Sequence, residues 1–507
     1  MGYPGLVSTS DKRSVGELTS WHSDWKGLRV AVLGLGVSGF SVADTLVELG
    51  ARVLVAAASA KEEHLGLLSV IGGEFLRHDL SDVPEELATF DPELIIVSPG
   101  FHPDNAVLLW GAERGIAVWG DIELAWRVRD KVTPVAEWVL VTGTNGKTTT
   151  SQLVTHILQA DGKRVAAVGN IGVPVLDAVR YPDGFDVLVV ELSSYQLHWL
   201  NHTENGTLSP WASVCLNIDD DHLDWHGSRE AYRDAKARVY TNTKSAAVYN
   251  RADLATRRMV ENAEVIDGCR AIGFGLDAPG LSDFGMVDGI LCDRAFLEDR
   301  ATTALEISTR EELAEVGLGA PHSLANVLAA SALARSFDVD PAVVRSALLS
   351  FTMDSHRTER IVVAGDLIWI DDSKATNPHA AAASLRAFDS VVWIVGGLFK
   401  GIDVDALVRA HVTRLSAAVL IGVDREALRA AFQRHAPELP VFEVDTTDTG
   451  EVMPAAVRLS AAAARPGDVV LLAPAAASMD QFADYGDRGR RFAAAVRDHV
   501  GPTDGTE

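Results

Sequence analysis

The sequence predicts an α/β protein built as three sequential α/β domains, and three observations support this. The chain has 507 residues, too many for one hydrophobic core. Short apolar runs of strand type alternate with longer helical patterns along most of its length. Several of these runs end in glycine-containing turns, as strands of parallel sheets do before their helices. We place the domains at residues 1–129, 130–354 and 355–507.

The first domain opens with the strand pattern Leu28–Leu33, followed by the glycine turn Gly34-Leu-Gly-Val-Ser-Gly39. A helix through Leu49 and a second strand, Arg52–Val55, complete a Rossmann-like opening. A redox dinucleotide would require an acidic residue at the end of that strand to hold the ribose, but the strand runs into Ala56–Ser59. A nucleotide diphosphate on the turn and a purely structural turn both stay open.

The second domain begins with an apolar strand that leads into Gly143-Thr-Asn-Gly-Lys-Thr-Thr-Thr150, a stretch typical of a triphosphate site. Its backbone N–H groups are free to surround a phosphate, Lys147 brings charge to the terminal phosphates, and Thr148 offers a hydroxyl to Mg²⁺. Ser151–Leu158 predicts the helix whose positive end faces the anion. Val141 stands where the common loop has glycine, so Gly143 supplies the turn. The alternative is an ordinary strand–turn–helix with a surface lysine.

Two later stretches of the second domain carry candidate metal ligands. Glu191 ends a strand pattern, where a carboxylate points into the crevice of a parallel sheet; alone it is also typical of a helix cap. Four acids and two histidines lie between Asp219 and His226, and Mg²⁺ accepts one imidazole among oxygens. A solvated turn is the alternative there, and zinc lacks a third clear ligand. Lys236 lies on a predicted helix and, by itself, is typical of a surface lysine.

Connecting segments are also predicted. The first domain is expected to end near an amphipathic helix over Ile122–Arg127, with a linker at Asp130–Glu137. Residues from about 270 to about 320 predict a β-rich segment with a hairpin turn at Val287-Asp-Gly-Ile290. Helical, alanine-rich sequence then continues through Leu348.

Polar loops follow three strand patterns of the third domain. They begin at Asp371, Gly396 and Ala473. Three polar loops at strand ends in one domain imply a binding edge, where Lys374 and Lys400 suit anionic groups. Each loop taken alone is as typical of a turn.

Composition limits the partners. The net charge of −25 disfavours binding to nucleic acid or anionic lipid. Cys215, Cys269 and Cys292 lie far apart, which disfavours a disulfide framework or zinc site and suits a reducing cytosol. The chain shows no basic-then-apolar signal and no long apolar run. We therefore expect a soluble, cytoplasmic monomer that acts on small molecules, without nucleic-acid or membrane partners.

In this order, the motifs resemble those of the Mur ligase family over nearly the whole chain from about residue 28. Gly143–Thr148 and Asp221–Asp224 resemble the family as a whole. Asp372–Asn377 and Pro474–Phe482 resemble the member that adds D-glutamate to UDP-N-acetylmuramoyl-L-alanine in peptidoglycan precursor synthesis. The resemblance implies an N-terminal Rossmann-like domain for the UDP-linked substrate, a central P-loop ATPase-type domain and a C-terminal Rossmann-like domain.

The resemblance also implies roles for single residues. ATP phosphates would lie on the glycine loop, formed by Gly143, Thr144, Asn145, Gly146, Lys147, Thr148 and Thr149. Two Mg²⁺ sites would use Thr148, Glu191, His222 and a carbamylated Lys236. The catalytic set would be Lys147, Glu191, His222 and Lys236. Further nucleotide contacts would come from Asn326, Arg357 and Asp372.

Substrate contacts are implied in the same way. The muramoyl substrate would contact Asn170 and Gln196, and D-glutamate would contact Lys374, Thr376, Lys400 and Ser478. Three residues depart from the family pattern: Ser323 replaces an asparagine, Tyr485 a phenylalanine, and Ala57 an aspartate used for uracil. Uridine would then be recognised by backbone groups or by Ser38 and Ser59.

The implied reaction needs no nucleophilic serine or cysteine. ATP would phosphorylate the alanyl carboxylate, and the amine of D-glutamate would attack the acyl phosphate to give an amide and phosphate. Two other classes stay open: a sibling amide ligase for another amino acid, and a nucleotide-binding regulator without catalysis. Amino-acid-dependent phosphate release separates the first, and intact Lys147, Glu191 and His222 count against the second.

Overall fold

The computed structural model describes residues 15–200, 207–352, 356–399, 404–446 and 448–501. The chain forms two compact units, Met1–Phe351 and Thr352–Glu507. In the described ranges, the first unit contains a five-stranded and a nine-stranded sheet, and the second contains a six-stranded sheet. Most neighbouring strands are parallel, which confirms the predicted α/β class.

The first sheet has the strand order β3-β2-β1-β4-β5, and its neighbouring strands are parallel. Its strands are β1 (Arg29–Leu33), β2 (Arg52–Ala57), β3 (Glu74–Arg77), β4 (Leu94–Val97) and β5 (Ala117–Gly120). Its helices are α1 (Val37–Glu48), α2 (Glu62–Ile71), α3 (Glu85–Phe90), α4 (Ala106–Glu113) and α5 (Asp121–Arg127). The strand order reverses beside β1, so the glycine turn lies at the point where such sheets bind ligands.

The glycine turn after β1 is tight for a reason internal to the fold. Gly34 has a φ of 97°, and a Cβ on Gly39 would lie 2.1 Å from the Gly34 carbonyl oxygen. Both positions therefore require glycine whether or not a ligand binds.

A helix is present over the predicted range Ile122–Arg127, but the prediction that it is amphipathic is wrong, because all seven residues of α5 are buried. The Arg127 guanidinium donates to Glu123 at 2.7 Å and to the Leu18 carbonyl at 3.1 Å. It also lies 4.2 Å from the ring centroid of Trp119. These partners satisfy the buried charges, so the charged side of the helix does not face water.

The central sheet has the order β14-β13-β12-β11-β10-β9-β6-β8-β7. Its strands are β6 (Glu137–Thr142), β7 (Val165–Gly169), β8 (Val187–Glu191), β9 (Ala212–Cys215), β10 (Ala246–Asn250), β11 (Arg270–Phe274), β12 (Asp283–Val287), β13 (Ile290–Asp293) and β14 (Leu305–Thr309). Its helices are α6 (Lys147–Ala160), α7 (Val175–Val179), α8 (Ser194–His198), α9 (Leu223–His226), α10 (Arg229–Ala237), α11 (Leu254–Glu261), α12 (Arg310–Glu315), α13 (Pro321–Arg335) and α14 (Pro341–Ser350). β6 lies between β8 and β9, so loops after these three strands share one edge.

The predicted hairpin is confirmed at one end of this sheet. β12 pairs antiparallel with β13, and Val287 lies opposite Ile290. Asp288 and Gly289 both have positive φ, 49° and 83°, as the tight two-residue hairpin turn requires.

The third sheet has the order β15-β16-β20-β17-β18-β19, antiparallel between β15 and β16 and parallel elsewhere. Its strands are β15 (Glu359–Ala364), β16 (Leu367–Asp371), β17 (Val391–Gly396), β18 (Leu415–Ile421), β19 (Val441–Glu443) and β20 (Val469–Leu472). Its helices are α15 (Pro378–Arg386), α16 (Asp405–His411), α17 (Glu426–His435), α18 (Thr449–Ala463) and α19 (Tyr485–Val500). The three predicted polar loops follow β16, β17 and β20, which are neighbours in the sheet.

Polar contacts join α1 of the first sheet to α7 of the central sheet. The Ser41 hydroxyl donates to Asp177 at 2.6 Å. Arg180, which follows α7, forms ion pairs with Asp44 at 2.7 Å and Glu48 at 3.2 Å. We call these five residues the α1–α7 seam.

None of the described helices has the length and apolar character that a membrane crossing requires.

Candidate active site

The glycine loop between β6 and α6 leaves no room for a Cβ atom at either of its two glycines. Gly143 and Gly146 have φ values of 149° and 84°. A Cβ on Gly143 would lie 3.2 Å from the Leu216 backbone nitrogen, and one on Gly146 would lie 2.4 Å from Asn326 Oδ1. The predicted contact residue Asn326 therefore packs directly on the loop.

Asn217, which the sequence analysis did not single out, fixes the shape of this loop. Its side-chain oxygen accepts from the Asn145 N–H at 2.8 Å, and its amide donates to the Asn145 carbonyl at 3.0 Å. Its carbonyl accepts from the Thr144 N–H at 2.9 Å. The sequence signal was its position two residues after β9, the strand that pairs with β6.

Lys147 is the first residue of α6, and Thr148 and Thr149 are buried in its first turn. The Lys147 ammonium donates to the carbonyls of Gly143 at 2.8 Å and Thr144 at 2.9 Å. The lysine thus lies back over the loop at the positive end of α6. This arrangement suits a phosphate chain, which would offer the ammonium a charged acceptor.

Glu191 fits a cation. It ends β8 opposite Val141 of β6, and it is 1% exposed. One carboxylate oxygen accepts from the Asn170 amide at 3.0 Å, whereas the other is buried and has no hydrogen-bond partner among the described residues. A buried carboxylate oxygen without a partner is costly, and Mg²⁺ prefers such oxygen ligands.

His222 precedes α9 in a left-handed conformation, with a φ of 52°. Its Nδ1 lies 2.6 Å from the Tyr195 hydroxyl, and its Nε2 lies 3.5 Å from Asp221 Oδ2. Burial lowers the pKa of His222 below its ordinary value, which favours the neutral ring that a metal requires.

Three other residues of the acidic stretch make contacts elsewhere. The Asp219 N–H donates to the Thr144 hydroxyl at 3.0 Å, and Asp220 pairs with Arg229 at the surface. His226 contacts the Ser194 hydroxyl at 2.9 Å. Within the described part of the chain, the side chains from Asp219 to His226 do not come together as one cluster of three metal ligands. His222 with Asp221 is the part of the stretch that suits a cation.

Lys236 is buried rather than on the surface, with 2% exposure. Its ammonium donates to the Gly143 carbonyl at 2.9 Å and to the Thr142 hydroxyl at 3.2 Å. Burial, and then the nearby charge of Lys147, lower the pKa of Lys236 to about 7. Near neutral pH a large fraction of this amine is therefore uncharged.

The predicted contacts of the UDP-linked substrate lie on several different elements. Asn170 is exposed and bonds Glu191, as above. Gln196 is 4% exposed and closes a capping box with Ser193 at the start of α8. Ser38 is half-buried in the first turn of α1. Ala57 belongs to the hydrophobic core of the first sheet, so its side chain faces the core.

In the second unit, the predicted contact Asp372 is buried. It accepts from the Thr358 N–H at 3.2 Å and from the Ser384 hydroxyl. Burial raises the pKa of Asp372 to about 6. Arg357 precedes Thr358, is half-buried, and its charge opposes that rise.

The predicted amino-acid contacts lie on loops after β16 and β20. Lys374 Nζ lies 5.1 Å from the ring centroid of Tyr485. Thr376 is half-buried two residues on, and Ser478 is 4% exposed. Lys400 lies outside the described residues.

Arg488 was missed by the sequence analysis. It is fully buried in α19 and donates to the Ser373 hydroxyl at 2.9 Å, the Ser373 carbonyl at 2.8 Å and the Ala476 carbonyl at 3.2 Å. It therefore joins the loops after β16 and β20. Its sequence signal, an arginine in a charged helix, is indistinguishable from a surface residue.

A glycine loop that enters α6, with two lysines and an open carboxylate oxygen beside it, defines a nucleotide-triphosphate-binding α/β protein. A model of the Mur ligase middle domain matches residues 141–334, and one of the Mur ligase, glutamate ligase domain matches residues 356–476. The chain belongs to the Mur ligase family.

Curated relatives agree with this membership. The chain is 64% identical to a UDP-N-acetylmuramoylalanine--D-glutamate ligase of Leifsonia xyli subsp. xyli, with 97% of each chain covered. It is 50% identical to the protein of the same name from Streptomyces avermitilis, over 94% of this chain and 99% of that one. A UDP-N-acetylmuramate-alanine ligase structure from Thermotoga maritima matches with a TM-score of 0.54 at 19% identity, covering 93% of this chain and 100% of that one.

Proposed function

We propose that this protein is an ATP-dependent ligase that joins D-glutamate to UDP-N-acetylmuramoyl-L-alanine through an acyl phosphate, in peptidoglycan precursor synthesis. The observation that carries the proposal is the glycine loop with Lys147 at the start of α6, together with Glu191 on the neighbouring strand β8. One buried oxygen of Glu191 has no hydrogen-bond partner in the described part of the chain. The name shared by the curated relatives supports the choice of substrates. We further propose that it acts as a cytoplasmic monomer.

The proposed roles follow the three predicted domains. Residues 1–129 would bind the UDP-linked substrate, residues 130–354 the ATP phosphates, and residues 355–507 D-glutamate and part of the nucleotide. On ATP binding, Lys147 would exchange its two loop carbonyls for phosphate oxygens. The N–H groups of residues 146–149 would face the phosphates, because those of Thr144 and Asn145 already donate to Asn217. These groups stabilise charge that develops during transfer.

Mg²⁺ would be held by Thr148, Glu191, His222 and a carbamate on Lys236. When bound, it would neutralise charge on the transferring phosphoryl group. The carbamate forms when the uncharged Nζ of Lys236 bonds to the carbon of CO₂ and releases a proton. The pKa of about 7 supplies the uncharged amine, whereas an ammonium at this position would repel the cation.

The substrate contacts of the proposal are Asn170, Gln196 and Ser38 for the UDP-linked acceptor, and Lys374, Thr376, Lys400 and Ser478 for D-glutamate. Asn326, Arg357 and Asp372 complete the nucleotide contacts.

Phosphate release tests the proposal directly. Purified protein receives ATP, UDP-N-acetylmuramoyl-L-alanine and, in turn, D-glutamate, L-glutamate, L-lysine or D-alanyl-D-alanine. Of the four amino-acid substrates, we expect only D-glutamate to support phosphate release. Lys147→Ala should abolish it, while Lys163→Ala, which removes a lysine paired with Asp161 away from the loop, should not. If L-lysine supports phosphate release as fast as D-glutamate does, the assignment of D-glutamate as the substrate is wrong. If the protein binds ATP but releases no phosphate with any of these amino acids, it is a nucleotide-binding regulator and not a ligase.

A further inference from the structure

Tyr195 of α8 and His222 meet through their polar atoms. The phenol oxygen lies 2.6 Å from Nδ1, and the ring centroids are 4.8 Å apart. The tyrosine ring is also held by Trp225, at 4.7 Å, and by His226, stacked at 5.8 Å. The hydroxyl is thus aimed at one nitrogen of His222 by a packed aromatic group.

The other nitrogen faces the acidic side of the site. Nε2 of His222 lies 3.5 Å from Asp221 Oδ2, so an imidazole nitrogen and a carboxylate oxygen are close enough to share a cation. The left-handed backbone at His222 is uncommon for a residue other than glycine, and it sets the direction of the side chain.

A neutral imidazole carries one proton, and its position decides which nitrogen ligates a metal. For Nε2 to present a lone pair, the proton must reside on Nδ1 and requires an acceptor there. The phenol oxygen of Tyr195 accepts such a hydrogen bond, whereas a phenylalanine ring of the same shape does not.

We propose that Tyr195 is a positioning residue that accepts a hydrogen bond from Nδ1 of His222 and so presents Nε2 to the divalent cation of the proposed reaction. The inference rests on the proposed function for the presence of that cation. It goes further by assigning the orientation and tautomer of the histidine to one hydroxyl group.

The test compares Tyr195→Phe with wild type, using Mn²⁺ as the probe. The electron paramagnetic resonance signal of free Mn²⁺ gives the dissociation constant of Mn²⁺ from each protein. Removal of such an orienting partner typically weakens metal binding by about 10-fold to 100-fold, and we expect a loss in that range. Tyr181→Phe is the matched control, because Tyr181 is 49% exposed and stacks on Phe185 away from His222. Unchanged Mn²⁺ affinity in Tyr195→Phe would overturn the proposal.

A second readout is independent of turnover and of the variant's stability. Imidazole ¹⁵N spectra of the Mg²⁺-saturated wild-type protein, with the His222 signals assigned by their loss in His222→Gln, report which nitrogen carries the proton. We expect the proton on Nδ1, and a proton on Nε2 would refute the assignment. If both metal readouts agree with the proposal while no amino acid supports phosphate release, the proposed reaction fails and the role of Tyr195 stands.

Discussion

Gly489→Ala should destabilise the second unit, although the same change usually stabilises a helix. Gly489 lies inside α19, where an added Cβ would be 2.3 Å from His356 Nδ1 and 2.8 Å from Asp371 Oδ2. These two atoms lie 2.7 Å apart in the wild-type protein. The new methyl group would therefore occupy the space around this hydrogen bond.

The expected size follows from two opposing contributions. Alanine is favoured over glycine inside a helix by about 1 kcal/mol. Loss of a hydrogen bond to the buried Asp371 carboxylate costs about 1.5–3 kcal/mol. Among the described residues, the Ser373 N–H at 2.9 Å would be the hydrogen-bond donor left to this carboxylate. Subtraction leaves a net destabilisation of about 0.5–2 kcal/mol.

Hydrogen exchange read peptide by peptide is the suitable assay, because a chain of two compact units need not unfold in one transition. Amides of β16 and β20 should exchange faster in Gly489→Ala. Gly66→Ala is the control: Gly66 lies inside α2 with nothing within 4 Å of its added Cβ, so α2 should exchange more slowly. If Gly489→Ala slows exchange as Gly66→Ala does, the clash and the importance of the His356–Asp371 bond are both refuted.

Three further predictions concern charged groups. Lys147→Ala should lower kcat for D-glutamate-dependent phosphate release by at least about 10³-fold, roughly 4 kcal/mol of barrier, with circular dichroism unchanged; near-normal turnover would show that the loop is structural. The carbamate on Lys236 can be monitored by ¹³C NMR with labelled bicarbonate. Its signal should increase as the pH rises through about 7, the pKa of Lys236, and should be absent in Lys236→Arg. A carbamate signal that persists in the variant would contradict the assignment. The hydrogen bond with Asp371 raises the pKa of His356 above 6.5. The contribution of protonated His356 to the stability of the second unit should therefore be full below pH 6.5 and be lost as the pH rises through the raised pKa. Exchange of β16 across that pH window should show this loss in wild type and not in His356→Gln.

Features set by neighbouring residues were predictable from the sequence. The Gly143–Lys147 loop follows a strand and precedes a helix, and the turn at Asp288-Gly289 needs two positive φ values that these residues tolerate. Both depend on chemistry within a few positions of the chain. The same holds for the glycine turn after β1, whose close approach is internal to the turn.

Features set by distant residues were not predictable. Lys236 has the sequence context of a surface lysine, and only the packing of α10 against the loop buries it. Tyr195 and His222 are 27 positions apart, on either side of β9, and their contact depends on a left-handed residue that the sequence does not announce. Arg488 is buried for a similar reason, since its partners lie on two other loops.

The α1–α7 seam sets the reach of the first unit. Ser41 and Arg180 tie α1, which contains Gly39, to the region of α7. These contacts oppose a change in the separation between the Gly34–Gly39 turn and the Gly143–Thr149 loop. If the uridine end of the acceptor binds at the turn, this separation sets the length of acceptor that can react. An acceptor that is too short or too long would place its carboxyl group away from the loop. In the proposed reaction, the length of the acceptor, and not only its terminal amino acid, would then decide whether it reacts.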